Sequence, residues 1–360
     1  MKSHNTRQLR MAISEFSERS THTGLSILLL EVVIYICAIA GVILMENLFL
    51  RVVCGIVAGL KISTLFVIAH DAAHASFVRN RMLNKIIARL AFLPSYHNYS
   101  LWLIAHNKSH HQSTNTQGGN SWSPLSKEEY DELPGWRKHV EQFYRSPFGI
   151  SFYYLIERWW KDKFFPYQRL ISKNRASYWL DFLLVSTYMG TFLWILHQVG
   201  ASSAHSSSME LIMLAFLVPL VVSNFMLGFT VYEHHTHETI PWFRTKAERD
   251  QAVDVEEITM HVKFPHWYNM FSHHIMEHTA HHVDSRIPLY NLAKAQKVLE
   301  NILGDELVTV NFSIKDFLTT MQKCKLYDFE NHQWLDFNGF STSKIYHHGV
   351  ELEFEYIKAA

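Results

Sequence analysis

His278-Thr279-Ala280-His281-His282, followed at once by Val283-Asp284-Ser285-Arg286-Ile287-Pro288-Leu289-Tyr290-Asn291, is the stretch on which the reading of this chain turns. Positions i, i+3 and i+4 of a helix share one side, so His278, His281 and His282 aim three imidazoles at a common point. Working outward, His70 and His74 stand at i, i+4, and His106, His110 and His111 at i, i+4, i+5. A tetrahedral zinc takes at most four ligands, so eight imidazoles in three clusters point to two metal ions.

The surrounding chain says where such a centre sits. Runs 25–45 and 48–69 are apolar and about long enough to cross a hydrocarbon core of about 30 Å, and only Glu46 and Asn47 separate them. Runs 178–199 and 209–232 are joined by the small polar loop 200–208. The expected fold is therefore an all-α integral membrane protein, with four transmembrane helices in two hairpins and a cytoplasmic helical domain carrying the histidines. The expected divisions are a cytoplasmic segment 1–24, a first hairpin 25–69 and a cytoplasmic and interfacial segment 70–177. A second hairpin 178–232 and a cytoplasmic segment 233–360 follow.

Orientation follows from Lys and Arg, which crowd 78–177 (among them Arg79, Arg81, Lys85, Arg89, Arg137, Lys138, Arg158, Arg169 and Lys173) and are missing from 200–208. Both termini and all three histidine clusters fall on the cytoplasmic side. Segments 86–93 and 148–160 are apolar but too short to span; they are expected in the interface, with Trp102, Trp159 and Trp160 at headgroup depth. Residues 307–312 alternate like a strand, and the tail around them reads as a lid or scaffold. Glu31 and Lys61 lie inside the first two runs. The cheaper reading lets each reach water alone, Lys61 by snorkelling; the alternative is an ion pair between neighbouring helices.

Charge and cysteine usage exclude other classes. Lys and Arg total 33, as do Asp and Glu, so no nucleic-acid surface is indicated. Cys37, Cys54 and Cys324 form no paired-thiol motif, which argues against a disulfide framework or a cysteine zinc site. The amino terminus, with Lys2, Arg7, Arg10 and Arg19 but no early apolar core, is expected to lack a cleavable signal peptide. Imidazole suits several metals, but a site at the end of membrane spans and within reach of a lipid chain suits oxygen activation, which redox-inert zinc does not perform and iron does.

The three clusters, HxxxH, HxxxHH and HxxHH in that order and spacing, resemble the histidine boxes of the membrane fatty acyl desaturases, over about 60–291. Ser76-Phe77 after the first box, Thr114-Asn115 after the second and Ile287-Pro288-Leu289-Tyr290-Asn291 after the third are similar to the acyl-lipid delta-12 and omega-3 branch. Ala73 departs from that branch, which has glycine there. The resemblance implies two iron ions, with O2 as co-substrate, held by His70, His74, His106, His110, His111, His278, His281 and His282. It implies one further ligand in Tyr232-Glu233-His234-His235-Thr236-His237, where His235 is favoured over His237. Asp71, Glu233, Glu277 and Asp284 become candidates to fix ring tautomers. A lipid or acyl-chain substrate and an external ferredoxin-like or other small redox donor are also implied. The membrane is expected to be a bacterial inner membrane.

Two alternatives remain at this stage: a membrane hydroxylase of alkane, carotenoid or sphingolipid type, and a metal transporter. A transporter would carry its ligands near the midplane rather than at one face. His4, His22, His97, His139, His197, His205, His332, His347 and His348 read as ordinary surface or interfacial residues. His261, His266, His273 and His274 are near enough to the third box to support it.

Overall fold

Two residues leave the chain room only for a tight reversal, and the computed structural model contains one. The structure describes residues 6–164, 175–254 and 257–346; Lys2, His4, Arg169, Lys173, His347 and His348 lie outside the described residues. Helix α1 (Thr21–Leu44) ends at the Glu46-Asn47 link, and Asn47 caps α2 (Leu48–Ala73), its side chain accepting from the Leu50 amide at 3.1 Å. The second hairpin is α3 (Arg175–Ser202) and α4 (Ser208–Glu233). All four helices are long and apolar enough to cross a membrane. A π-helical turn at Met213–Leu217 interrupts α4 just ahead of Pro219, whose missing N–H cannot continue the regular ladder.

The central helix is α2. It packs against both α1 and α4, and its glycines set the distance to α4. A Cβ on Gly55 would lie 2.5 Å from the Leu214 carbonyl oxygen, and one on Gly59 would lie 2.6 Å from the Val222 Cβ. Between helices in lipid, where apolar burial gives little drive, such close backbone approach is what holds a pair together.

Glu31 and Lys61 do not reach water separately. Lys61 Nζ lies 2.9 Å from Glu31 Oε2, and the Thr64 hydroxyl donates to the same oxygen at 2.5 Å. His273 Nε2 approaches Glu31 Oε1 at 3.3 Å. The pair is buried because α1 and α2 face each other here, and a carboxylate left alone in an apolar span costs more than a pair. Glu31→Gln is expected to lower stability by about 2 kcal/mol or more, and adding Lys61→Gln is expected to cost little further. Thermal melts of the two single variants and the double variant check this; fully additive losses would sink the pairing.

The short apolar segments follow amphipathic lines. Helix Arg81–Phe92 exposes Met82, Ile86 and Leu90 and buries Asn84, Ile87, Ala88 and Ala91. Residues 148–160 fall in a helix, Gly149–Tyr153, that continues as the π-helix Tyr154–Phe164. Of the three tryptophans expected at headgroup depth, only Trp160 is exposed. Trp102 is buried and stacks on His106, with ring centroids 4.4 Å apart, and buried Trp159 donates from Nε1 to the Tyr96 carbonyl at 2.9 Å. Each ring fills space inside the helical core, and that outweighs the usual interfacial preference.

Strand β1 (His261–Lys263) pairs in parallel with β2 (Thr309–Asn311), in register His261 to Thr309. Helices α5 (His278–Val283) and α6 (Leu289–Leu303) lie in the crossover between them. β3 (Leu326–Asp328) and β4 (Gln333–Leu335) form an antiparallel pair in the tail. Tyr327 and Trp334 share a core with Trp122, Tyr232 and Trp242, so the tail acts as scaffold to the segment after α4.

Candidate metal centre

Each histidine cluster arrives on a different local structure. α2 runs past its apolar stretch, so that its last turn carries His70, with His74 as its C-cap. The second cluster sits on a π-helical turn, Ile104–His110, in which the His111 amide bonds to the His106 carbonyl at 3.1 Å. In an α-helix i and i+5 diverge by roughly 140°; the wider π turn returns His111 to the side of His106 and His110, which explains a spacing that α-geometry does not serve. The third cluster is α5 itself, and His235 follows the end of α4.

These elements bring nine imidazoles together. His70, His74, His106 and His281 form one group, and His110, His235, His278 and His282 a second; within each, the candidate ligand nitrogens lie within 4.8 Å of one another. His111 Nε2 stands 3.1 Å from His106 Nε2 and 3.2 Å from His281 Nε2. In the second group, His278 Nε2 is 2.9 Å from His235 Nε2, and His282 Nε2 is 3.1 Å from His110 Nε2.

This donor set fits metal ions better than hydrogen bonds. A neutral imidazole Nε2 carries either one proton or one lone pair, so His111 cannot satisfy both nitrogens that face it. Among the described residues, His74 Nε2 is buried without a hydrogen-bond partner. Two nitrogens each about 2.1 Å from one ion and subtending roughly a right angle stand about 3 Å apart, as these do. Burial also holds the rings neutral, the form that binds metal: it keeps His74, His106, His110, His278, His281 and His282 well below the usual imidazole range and lowers His111 and His235 to about 4.

The stability consequence has a definite sign. Below the ordinary imidazole value of 6.5 the unfolded chain binds protons that folded His111 and His235 refuse. Their contribution is complete above pH 6.5 and is lost as pH falls toward about 4. The expected melting temperature of metal-stripped protein is level between about pH 7 and 8 and declines steadily below about 6.5. A melting temperature indifferent to pH between 7 and 5 would contradict the burial of these rings.

A cavity of about 840 Å³, including its open part, runs along the centre. His70, His106 and His278 form part of its wall, with Phe66, Leu227, Val231 and Ile275 among the apolar residues of the lining.

Residues 46–313 match the model of the family described as Fatty acid desaturase. The chain belongs to the fatty acid desaturase family. It is similar to the sn-1 oleoyl-lipid 12-desaturase of Picosynechococcus sp., 27% identical over 288 residues that cover 78% of this chain and 77% of that protein. It is 28% identical over 271 residues to the chloroplastic omega-6 fatty acid desaturase of Spinacia oleracea, covering 75% of this chain but 58% of the spinach protein. The sn-1 acyl-lipid omega-3 desaturase (ferredoxin) of Synechocystis sp. is 27% identical over 266 residues, 72% of this chain and 70% of that protein. The protein is thus an oxidoreductase of the membrane fatty acyl desaturase type, and neither the hydroxylase nor the transporter alternative is favoured.

Within this desaturase the supporting contacts differ from those expected of the carboxylates. Asp71 accepts from the Ser76 hydroxyl at 2.7 Å and the Leu289 amide at 3.2 Å, so it ties α2 to the start of α6. Glu277 lies 2.5 Å from His261 Nε2, and Asp284 forks onto Arg286 at 2.7 and 2.8 Å. Glu233 is buried, and among the described residues no hydrogen bond to a clustered ring marks it as an acceptor. His237 turns away, with Nδ1 2.8 Å from the Thr239 hydroxyl. The acceptors that do meet clustered rings are Asn120 Oδ1, 3.3 Å from His110 Nδ1, and the Ile258 carbonyl, 3.0 Å from His235 Nδ1. Both point Nε2 at the neighbouring rings. A backbone carbonyl leaves no residue-type signal. Asn120 lies ten positions after His110, and its role rests on Asn115, whose left-handed φ of 52° folds the loop back.

Four other histidines are placed by the fold. His234 stacks on His278 at 3.5 Å and lines the cavity. His97 is not a surface residue but fully buried, 2.8 Å from the Ser95 carbonyl. His261 and His274 both contact Glu277 and so brace the approach to α5.

Proposed function

We propose that this chain desaturates lipid-borne acyl chains at a two-iron centre. One ion would be held by His70, His74, His106 and His281 with His111 beside them, and the other by His110, His235, His278 and His282. The observation that carries the reading is two four-imidazole groups, of which His70, His106, His110, His235 and His278 line one cavity, at the ends of membrane-length helices. Iron, when bound, supplies O2 activation strong enough to remove hydrogen from an unactivated methylene. The overall change is –CH2–CH2– with O2, two electrons and two protons giving –CH=CH– and two waters.

The chain's own residues contribute position and exclusion. Phe66, Leu227, Val231 and Ile275 hold the methylenes and keep water from the site, while Asn120 and the Ile258 carbonyl fix the rings of His110 and His235. The names of the relatives support an acyl-lipid substrate and a double bond of delta-12 or omega-3 type. Electrons would come from a ferredoxin-like partner, which the name of the Synechocystis relative supports. The Lys and Arg distribution supports a cytoplasmic centre and cytoplasmic termini.

The test is a lipid profile of a desaturase-free bacterial host expressing this chain beside a His281→Ala control. New unsaturated acyl chains in the first and none in the second are expected. Hydroxylated products would move the assignment to the hydroxylase alternative. No product from iron-loaded protein supplied with a redox donor would remove acyl chains as the substrate.

A further inference from the structure

A buried lysine lines the acyl cavity. Lys163 is 4% exposed, and among the described residues its ammonium makes one hydrogen bond, to the Tyr154 hydroxyl at 3.0 Å. The carboxylates near it in sequence are engaged elsewhere: Asp162 with Arg158, and Glu157 with Arg137 and Lys161. Burial, with the Arg158 cation nearby, lowers the Lys163 ammonium to about 7 despite the Asp162 carboxylate.

The bonds behind Lys163 all run one way. His97 Nδ1 faces the Ser95 carbonyl at 2.8 Å, and the Ser95 hydroxyl is itself spent on the Phe92 carbonyl, so Nδ1 carries the ring proton. His97 Nε2 is then a lone pair and accepts the Tyr154 O–H at 3.2 Å. The Tyr154 oxygen in turn accepts from Lys163. His97 and Tyr154 are each about 1% exposed, so water does not reset this polarity. The chain ends on N–H donors beside an apolar cavity, and a buried donor without an acceptor is costly.

We propose that Lys163, backed by Tyr154 and His97, is the site that binds the carbonyl-end oxygen of the acyl substrate and so fixes how far along the chain the metal centre acts. This rests on the acyl-desaturase reading and adds the chemical group that is recognised: an acceptor oxygen, either the ester carbonyl of a lipid or the carboxylate of a free fatty acid. With that oxygen anchored, the methylenes presented to His70, His106 and His278 are counted from the carbonyl end. A lysine serving only to hold Tyr154 would make no distinction between acyl ligands.

The test measures binding without turnover. Metal-loaded protein in detergent is titrated with an ester-linked acyl lipid, its ether-linked counterpart lacking the carbonyl, and the free fatty acid, each displacing a fluorescent acyl probe. Wild type is expected to favour ester or acid over ether by about ten-fold or more, and Lys163→Met to reduce this to within about two-fold with ether affinity unchanged. Ester above acid assigns the lipid carbonyl, and acid above ester the free carboxylate. An undiminished preference in Lys163→Met, or none in wild type, overturns the site. Should Lys163→Met lose its metal or fail to melt cooperatively, Tyr154→Phe replaces it, and an unchanged preference there overturns the site equally. In the expressing host, Lys163→Met is further expected to scatter the double-bond position. Preserved binding preference with no desaturation would sink the reaction and leave the binding site standing.

Discussion

His282→Ala is expected to abolish product and to take the metal content from two ions per chain to one or fewer. His282 Nε2 stands 3.1 Å from His110 Nε2 in a group of four buried imidazoles, and no other described His, Cys, Asp or Glu completes that group. Loss of one neutral donor leaves three, in a place where burial disfavours a replacement by charge. The turnover loss should exceed about a hundred-fold, because outer contacts alone are worth about 10–100-fold in metal affinity. Asn120→Ala, which frees the far side of the His110 ring, should fall in that lower range. His237→Ala lies outside both groups and should keep both ions and full product. Metal analysis and lipid profiling on the three variants check the series; two ions and normal product in His282→Ala would dismantle the ligand assignment.

Gly59→Leu is expected to be the most damaging change away from the histidines. Even the first carbon of a side chain there would lie 2.6 Å from Val222 Cβ and 2.9 Å from the Pro219 carbonyl oxygen, so α4 must move. Overpacking a filled interior costs about 1–3 kcal/mol, and a backbone contact cannot yield as a flexible side chain does. Because α4 leads directly into His235, the displacement should also weaken metal binding. Gly190→Ala on α3 is the control: a Cβ there meets nothing within 4 Å, and loss of glycine from a helix interior should stabilise by about 0.5–1 kcal/mol. Melting curves in detergent, with metal content, read both. A Gly59→Leu protein that melts with wild type would show that α2 and α4 do not depend on close approach.

The histidine clusters were legible because their spacing is local. Three of the nine rings come from one short helix, and turn geometry alone puts them on one side of it, though His281 joins the first group while His278 and His282 join the second. The four spans were equally legible, since apolar length is a one-dimensional property; their ends moved by a few residues because helices continue through polar residues that the fold buries, as α2 does through His70 and Asp71. The roles of Asp71, Glu277 and Asp284 were not legible. A carboxylate beside a histidine in sequence is on average a neighbour in space, but here Asp71 and Glu277 are drawn to donors that folding supplies, the Leu289 amide and the His261 ring, and Asp284 to its sequence neighbour Arg286.

The sequence by itself determined the membrane-helix class and eight of the nine gathered rings, carried by periodicity, apolar length and residue type, and pointed to the family and to His235 by the resemblance of its motifs. Only the tertiary structure decided how those rings divide into two groups, that Glu31 and Lys61 meet, that His97 and Trp102 are interior, and that Lys163 lines the cavity beside the histidines. The physical reason is the same in each case. These outcomes depend on which distant segment fills the space beside a side chain, and in a close-packed interior the neighbour is chosen by the assembly of α2, α4, α5 and the π-helical turns together, not by any one segment's pattern.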